Sequence, residues 1–281
     1  MAAGFKSCLQ ELKDMSVTAT VIACIVVTIL AIPFSMLGQG GGSTYVPVLT
    51  VAGMDFYQSS TTSLFMIMLA SLATTLAFGR KKMIDWKLLL PIVPLAIIGS
   101  FAGGYVAQFV SALVLKIVFA VVLIIAAVFM LRPAAEGKIP SFMPQWMCWD
   151  RCCGEYQYRI SMGLLIPAAG LTGFIAGMIG VGGGIFVLPL LVLLFGCPTR
   201  IAIGVSSTYV GIAALPGFIG HLVGGSVFNV WIALPLAAAA FAGASLGPML
   251  SLKTSISKLR VVLAIVLIAL AILMMVNIFV K

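Results

Sequence analysis

Two glycine-rich stretches, one in each half of the chain, contain the residues best suited to bind a small ligand. The first, GQGGGSTYVP, runs from Gly38 to Pro47, and the second, GVGGGIFVLP, runs from Gly180 to Pro189. Consecutive glycines break a helix because they lose more backbone entropy than other residues. A break inside hydrocarbon leaves peptide groups without partners unless they line a cavity or contact a ligand. Two breaks in corresponding positions of two halves therefore predict a transporter binding site.

The chemistry predicted for these breaks is the binding of an anion. If a half-helix starts just after Gly42 or Gly184, its first four amides have no partner within the helix. The start of a helix also carries roughly half a positive elementary charge. Glycine lets a ligand approach the backbone, so an anion can bind there without a basic side chain. The alternative is that the glycines only permit close packing of helices.

Hydroxyl-bearing side chains cluster after each break, at Gln58–Ser63 and at Ser206–Tyr209. Hydroxyls are neutral donors suited to the oxygens of an oxyanion, although Ser and Thr also bond to their own helix. We expect ligand contacts to concentrate on Thr62, Ser63, Ser206 and Ser207. The full set predicted to bind substrate is Gly38, Gln39, Gly40, Gly41, Gly42, Ser43, Thr44, Pro47, Thr62, Ser63, Gly180, Gly182, Gly183, Gly184, Pro189, Ser206 and Ser207.

Acidic residues are scarce, which argues against several functions. Only Asp55 among the seven acids lies near a break. A cation pathway or a carboxylate proton relay usually carries acids inside the membrane, so neither is expected. No Ser-His-acid set, HExxH or Walker motif occurs, so we predict neither an enzyme nor a cofactor. The single histidine, His221, is predicted to be interfacial, and Arg200 is predicted to anchor the topology.

Three cysteines, Cys148, Cys152 and Cys153, lie close together in the middle of the chain. Three thiolates could hold a metal together with a fourth ligand. Their spacing matches no common zinc pattern and no histidine is near, so we expect a plain loop and no metal site.

The composition identifies an integral membrane protein. Hydrophobic residues make up 62% of the 281 residues and charged residues 8%, against roughly 25% charged residues in soluble domains. The net charge of +9 does not indicate nucleic-acid binding, because the basic residues cluster at the ends of apolar segments, where they set orientation. The predicted partners are a small anionic substrate and the lipid bilayer of the plasma or inner membrane, and a homo-oligomer is left open.

An internal repeat relates the two halves. In the same order, Gly53 matches Gly196, Pro91 matches Pro235 and Gly99 matches Gly243. Each half is predicted to contain a helix that runs into the glycine break, a short segment too short to span the membrane alone, and three further helices. The predicted divisions are a polar N-terminal segment at 1–16, a first repeat at 17–131, a central loop at 132–159 and a second repeat at 160–281.

The predicted fold is therefore all-α, with about eight transmembrane helices in two homologous four-helix halves. Two topologies are compatible with it. Eight spans with an internal N-terminus place the Lys253–Arg260 cluster outside, against the positive-inside rule. If each broken segment adds a fifth crossing, the repeats are inverted and an external N-terminus places all the large basic clusters inside. Two crossings within residues 15–54 is a tight fit, which favours eight spans.

The second glycine stretch resembles a known family signature. Gly177–Gly184, with the sequence GMIGVGGG, followed by Pro189 and Leu190, is similar to the glycine signature of the TauE/SafE sulfite exporters, also called the toluene-sulfonate uptake permease family. Ala202–Ser206 resembles the small-residue, Thr, Ser element that usually follows. The chain departs from the pattern in three places: Gln39 and Ser207 stand where apolar residues are usual, and Val205 stands where threonine is usual.

This resemblance implies secondary transport of small sulfur oxyanions or organosulfonates, such as sulfite, sulfoacetate and related carboxylates, with scope for proton coupling. Two alternatives remain. One is a passive anion channel that uses the same helix ends. The other is a membrane scaffold or sensor that acts through the Cys148–Cys153 loop.

Overall fold

The computed structural model describes residues 17–132, 148–153, 156–251 and 255–280. In the first half the helices are α1 (Val17–Met36), α2 (Gly42–Val51), α3 (Phe56–Arg80), α4 (Trp86–Val106, extended by a 3-10 turn Ala107–Phe109) and α5 (Ala112–Leu131). In the second half they are α6 (Met162–Ile179), α7 (Gly184–Pro189, continued by a π-helical turn Leu190–Leu194), α8 (Thr199–Val223), α9 (Val230–Ser251) and α10 (Ile256–Val280).

Eight of these helices are long and apolar enough to cross a membrane. The all-α membrane fold predicted from the sequence is therefore confirmed. The helices stop at both glycine stretches, where α1 ends at Met36 and α6 ends at Ile179. The short helices α2 and α7 follow the two interruptions, as the lengths of the apolar segments predict.

A β-hairpin corrects the prediction of a plain loop at 132–159. Strand β1 (Cys148–Cys153) pairs antiparallel with β2 (Tyr156–Ser161). On β2, Tyr158 and Ile160 are buried while Arg159 between them is exposed, which is the alternation expected of a strand with one face on a core. The second repeat therefore begins its first helix at Met162 rather than at 160. Residues 1–16 and 133–147, assigned to the N-terminal segment and the central loop, lie outside the described residues.

Equivalent helices of the two halves run in opposite directions. The ring centroids of Phe65 on α3 and Phe218 on α8 lie 5.7 Å apart. Thr74 comes later than Phe65 in α3, and it bonds to Ser207, which comes earlier than Phe218 in α8. In α5 and α10, the Lys116 ammonium near the start of one donates to Asn277 near the end of the other at 3.1 Å. Antiparallel equivalent helices are the mark of inverted repeats.

In each half, one helix packs mainly against helices of the other half. Helix α4 packs on α6 and α8, while its counterpart α9 packs on α1 and α3. Glycines on α4 and α9 make these approaches close: a Cβ added at Gly103 would lie 2.0 Å from the Phe174 carbonyl oxygen, and one at Gly243 would lie 2.5 Å from that of Thr28. Small residues spaced in this way let helix backbones meet in lipid. These reciprocal contacts between the halves are those expected of an internal repeat. The repeat itself stays a prediction from the sequence.

The path of the chain through the first break selects between the two topologies. Met36, at the end of α1, accepts a hydrogen bond from Ser251 at the end of α9. From there the chain turns back, because Gly42 packs against Ile67, halfway along α3, and α2 then runs to the start of α3. The break and α2 thus return the chain to the end of the bundle where α1 began. Of the two arrangements left open by the sequence, these contacts favour the inverted one.

Positive charge is concentrated at one end of the bundle. Among the described residues, every Lys and Arg except Lys116 lies at the end that carries the β-hairpin. The positive-inside rule places that end in the cytoplasm. The starts of α1 and α5 and the end of α10 then face outward, as in the external N-terminus alternative.

This orientation predicts opposite labelling of two exposed positions. In a chain whose native cysteines are replaced by alanine, Ser111→Cys at the start of α5 should react with a membrane-impermeant maleimide on intact cells. Arg200→Cys, at the hairpin end, should react only after the cells are opened, because the bilayer shields it. Labelling of Arg200→Cys from outside would contradict the assigned orientation.

A buried ion pair anchors the hairpin to the helices. The Asp85 carboxylate caps α4 by accepting from the Lys87 and Leu88 amides at 3.1 and 3.2 Å. It also accepts from the Arg151 guanidinium at 2.6 Å and from the Tyr158 hydroxyl at 2.6 Å. Burial alone would raise the pKa of Asp85, but the hydrogen bonds from Arg151, Tyr158 and the Leu88 amide outweigh it and lower that pKa. The carboxylate is therefore ionised in the folded chain at neutral pH.

Removing one partner of this pair should destabilise the protein. Arg151→Met leaves the buried Asp85 charge unpaired, a change that costs about 3–5 kcal/mol, so the melting temperature in detergent should fall clearly. Arg159→Met is the matched control, because the Arg159–Asp150 pair across the hairpin is exposed and such pairs contribute little. Equal melting temperatures for the two variants would contradict the anchoring role.

The same pair predicts an acid-dependent loss of stability. Because the pKa of Asp85 is lowered by folding, its stabilisation is complete above the unfolded value of about 3.9 and is lost as the pH falls through the folded value. The melting temperature of the wild type should therefore drop more steeply below about pH 4 than that of Asp85→Asn. Parallel curves would show that Asp85 contributes nothing to acid stability.

Candidate functional site

The two glycine breaks meet in the middle of the bundle. A Cβ added at Gly184 would lie 2.9 Å from the Gln39 Cα, and one at Gly42 would lie 2.3 Å from the Val181 carbonyl oxygen. Both breaks pack against Ile67 and Val210. Each of these is the twelfth residue of a 25-residue helix, so the breaks lie halfway along α3 and α8. The fold thus brings together the two segments that the sequence singled out.

The backbone of the two breaks follows one pattern. Gly41 and Gly183 are left-handed N-caps with φ of 76° and 87°, and neither α2 nor α7 has a side chain that caps it. The ten-residue helix α2 therefore starts with uncapped amides inside the protein; of these, the Thr44 amide donates to the Gly41 carbonyl at 3.0 Å. The glycines with left-handed φ correspond one for one, Gly38, Gly40 and Gly41 with Gly180, Gly182 and Gly183.

Each break is held by a helix from the opposite half. Ser60 and Ser63 of α3 donate to the carbonyls of Ile179 and Gly180 at 3.4 and 2.7 Å. In the matching place, a Cβ added at Gly38 would lie 2.2 Å from the carbonyl oxygen of Ile203 on α8. These glycines are therefore needed for close packing, which was the alternative weighed against ligand binding.

Buried polar groups without partners gather around the first break. Within the described part of the chain, the buried side-chain atoms that lack a hydrogen bond are Nε2 and Oε1 of Gln39 and the hydroxyls of Ser43, Ser71 and Ser206. All four residues are at most 2% exposed. An unpartnered buried polar group costs about 1–3 kcal/mol, so a cluster of them indicates a place for a polar ligand.

The positions of these residues follow from the helices that carry them. Gln39 and Ser43 belong to the break itself, and a Cβ added at Gly40 would lie 2.8 Å from the Ser71 hydroxyl. On α8, Ser206 lies three residues after Ile203, which packs on Gly38, and four before Val210, which packs on Gly40. Residues three and four apart share a helix face, so Ser206 lies on the face that α8 presents to the first break.

The second break lacks such a cluster. The sequence repeat matches Gln39 with Val181 and Ser43 with Ile185, and both partners are apolar and buried. Ser63 is the residue that the repeat matches with Ser206, and its hydroxyl donates to the Gly180 carbonyl. The backbone is therefore alike in the two breaks, whereas the free polar groups belong to one of them.

Of the remaining predicted residues, two form hydrogen bonds within the protein and three are buried. Thr44 donates to the Gly41 carbonyl at 2.7 Å, and Ser207 bonds to Thr74. Thr62 is buried, as are Pro47 in α2 and Pro189 at the end of α7. Of the predicted hydroxyls and amides, Gln39, Ser43 and Ser206 thus remain available to a ligand.

The set of residues predicted to bind substrate leaves out Ser71 and two tyrosines near the breaks. Ser63, Ile67 and Ser71 recur every four residues on one face of α3, and this spacing was the signal available for Ser71. Tyr45 donates to the Gly40 carbonyl at 2.9 Å, and Tyr209 donates to the Ala169 carbonyl at 2.6 Å. A Cβ added at Gly183 would lie 2.9 Å from the Tyr209 ring, so this tyrosine forms a wall of the second break.

His221 corrects another prediction. It is 1% exposed rather than interfacial, because its position on α8 faces α4 and α6. Its Nε2 lies 2.9 Å from the Gly177 carbonyl oxygen, so Nε2 carries a proton, and Nδ1 lies 3.3 Å from the Gln108 amide. These contacts place the ring beside the last turn of α6, three residues before Gly180.

The charged residues considered from the sequence lie at the ends of helices. Asp55 caps α3 by accepting from the Tyr57 amide at 3.1 Å, and Arg200 is exposed in the first turn of α8. The three cysteines of the central segment fall on β1. Across the described ranges, no three potential metal ligands come together.

Crowding at the second break gives a mutational prediction. Gly183→Val combines an unfavourable φ of 87° with a clash against Tyr209, so the variant should insert but lose transport activity. Gly225→Val is the matched control, since Gly225 has a φ of 99° but nothing within 4 Å of an added Cβ. Normal flux in a well-folded Gly183→Val variant would exclude the breaks from function.

Comparison with known proteins places this geometry in a family. The family model for sulfite exporter TauE/SafE matches residues 22–274. The chain is 29% identical over 83% of its length to the probable membrane transporter protein YunE of Bacillus subtilis, covering 89% of that protein. It is 27% identical over 86% of its length to the probable membrane transporter protein MJ0441 of Methanocaldococcus jannaschii, covering 90% of it.

A plant relative matches over a shorter region. The sulfite exporter TauE/SafE family protein 5 of Arabidopsis thaliana is 31% identical over 42% of this chain and 26% of its own length. No solved structure matches the chain significantly.

Proposed function

The chain belongs to the sulfite exporter TauE/SafE family, and we propose that it is a secondary transporter of small sulfur-containing anions such as sulfite, organosulfonates or sulfoacetate. The observation that carries the proposal is the cluster of neutral, buried and unpartnered donors at the first glycine break. These groups lie beside the uncapped start of α2, where the helix end favours negative charge.

The surroundings of the first break support an anion over a cation. The acidic residues that the structure describes, Asp55, Asp85 and Asp150, lie at helix starts or on the hairpin. A cation in the middle of a membrane normally requires a carboxylate as its counter-ion. Serine hydroxyls, a glutamine amide and backbone amides instead offer hydrogen-bond donors to oxyanion oxygens.

Inverted, interlocked halves support alternating access. The breaks pack against the middle residues of α3 and α8, and each also packs against a helix of the other half. A rocking motion between the halves would then open the same central site to one end of the bundle and afterwards to the other. Such a motion distinguishes a transporter from a channel, in which both ends are open at once.

Proton coupling, if it operates, is attributed to the substrate. The titratable side chains that contact glycines of the breaks are Tyr45 and Tyr209, whose hydroxyls bond to backbone carbonyls. A protonated oxyanion, such as hydrogensulfite, can itself carry a proton across without a side chain that titrates.

The test of this function is flux in liposomes that contain the purified protein. Sulfite, thiosulfate, sulfoacetate and taurine are supplied in turn, and uptake is measured against concentration with and without an anion gradient. Saturable uptake that accelerates when substrate is present on the opposite side is expected of a transporter. Linear uptake would indicate a channel, and no uptake of any of the four would refute the proposal.

Ser206 supplies the mutational test of the site. Its hydroxyl is buried and unpartnered, so Ser206→Ala removes a ligand contact worth roughly 1–3 kcal/mol without breaking a bond within the protein. We expect a KM raised by about tenfold with little change in melting temperature. Ser245→Ala is the control, since Ser245 is partly exposed and bonds to its own helix at Phe241. Equal KM values for the two variants would remove Ser206 from the site.

A further inference from the structure

The amide of Gln39 has a chemical property that the serines around it do not share. Both Nε2 and Oε1 are buried without a partner, and the residue is 2% exposed. The NH2 group can donate to an anion, but the carbonyl oxygen can only accept. A ligand that consists of anionic oxygens alone would satisfy the donor and leave the acceptor facing negative charge.

The neighbouring groups cannot satisfy that acceptor and the ligand at once. Ser43, Ser71 and Ser206 each have a single O–H to donate, and an anion bound among them requires those protons for its own oxygens. Gly184 packs closely against the Gln39 backbone, since a Cβ added at Gly184 would lie 2.9 Å from the Gln39 Cα. This contact fixes the position of the Gln39 backbone. The acceptor is therefore left for a donor that the ligand brings with it.

We propose that Gln39 makes the site selective for anions whose organic group carries an O–H or N–H donor. The anionic head is held by the serine hydroxyls and the start of α2, while the side-chain amide of Gln39 takes the donor group of the same molecule. This inference rests on the proposed function. It narrows the substrate class to organosulfonates that carry an O–H or N–H donor. The repeat partner of Gln39 is the apolar Val181, so the selectivity resides in the first half alone.

A pair of probes that differ in one hydroxyl tests the proposal. 2-Hydroxyethanesulfonate and ethanesulfonate have the same charge and carbon chain, and only the first carries a donor. In liposomes with the wild-type protein, the hydroxylated probe should be taken up with a kcat/KM at least about tenfold higher, because the other probe leaves the Gln39 acceptor unpaired. Sulfite flux in the same liposomes reports separately on the proposed function.

Two substitutions at Gln39 and a control then locate the selectivity. Gln39→Leu and Gln39→Val should lose the preference for the hydroxylated probe, because neither side chain can accept a hydrogen bond from its hydroxyl. Their melting temperatures should be unchanged or higher, because an unpartnered buried amide is replaced by an apolar group. Gln58→Leu, in the first turn of α3 and partly exposed, should keep the preference.

The possible results separate the two proposals. Equal uptake of the two probes by the wild type, or uptake of sulfite with neither probe, overturns the inference and leaves the proposed function standing. A preference that survives both Gln39 variants also overturns it, as does a lower melting temperature of both, which would give Gln39 a structural role. Absence of flux for sulfite and both probes overturns the proposed function as well.

Discussion

The architecture depends on the requirement that backbone groups inside hydrocarbon have partners. A helix meets this requirement by itself, and two interrupted helices do not. The chain resolves the difficulty by placing both interruptions at one depth, midway along α3 and α8, and by closing each with a helix of the opposite half. The hydroxyls of Ser60 and Ser63 donate hydrogen bonds to the carbonyls at the end of α6. The interlocking of the halves is therefore a consequence of breaking two helices in the same place.

The proposed site rests on a difference between two glycine breaks whose backbones are alike. The left-handed glycines of the two breaks agree one for one, whereas the polar side chains without partners surround only the first. In transporters built of inverted repeats, alternating access comes from the motion of one repeat against the other around a fixed site. Side chains are free to differ, because selectivity requires only one set of contacts. The matching positions of the second break, Val181 and Ile185, are apolar and buried.

Charge is managed at the ends of the bundle and kept away from its centre. Asp85 joins the start of α4 to the hairpin through Arg151 and Tyr158, and this pair is buried at the end where positive charge is concentrated. A buried ion pair is stable only with additional hydrogen bonds to its remaining lone pairs, which the amides of Lys87 and Leu88 supply. The neutral centre and the charged end are thus two separate solutions to the cost of burying polar groups.

The sequence by itself determined the membrane class, the eight long helices and the two breaks, because hydropathy, length and runs of glycine are local properties. It also directed attention to Gln39, Ser43 and Ser206 through their type and place in the repeat. It left the direction of the repeats open, since hydropathy is the same whichever way a helix points, and it did not reveal the hairpin, whose alternation covers few residues. Only the tertiary structure decided which hydroxyls stay free. Ser63 bonds to Gly180 and Ser207 bonds to Thr74, whereas the hydroxyl of Ser206 has no partner. Hydrogen bonds between residues more than 100 positions apart make that difference, and no local pattern in the sequence records them.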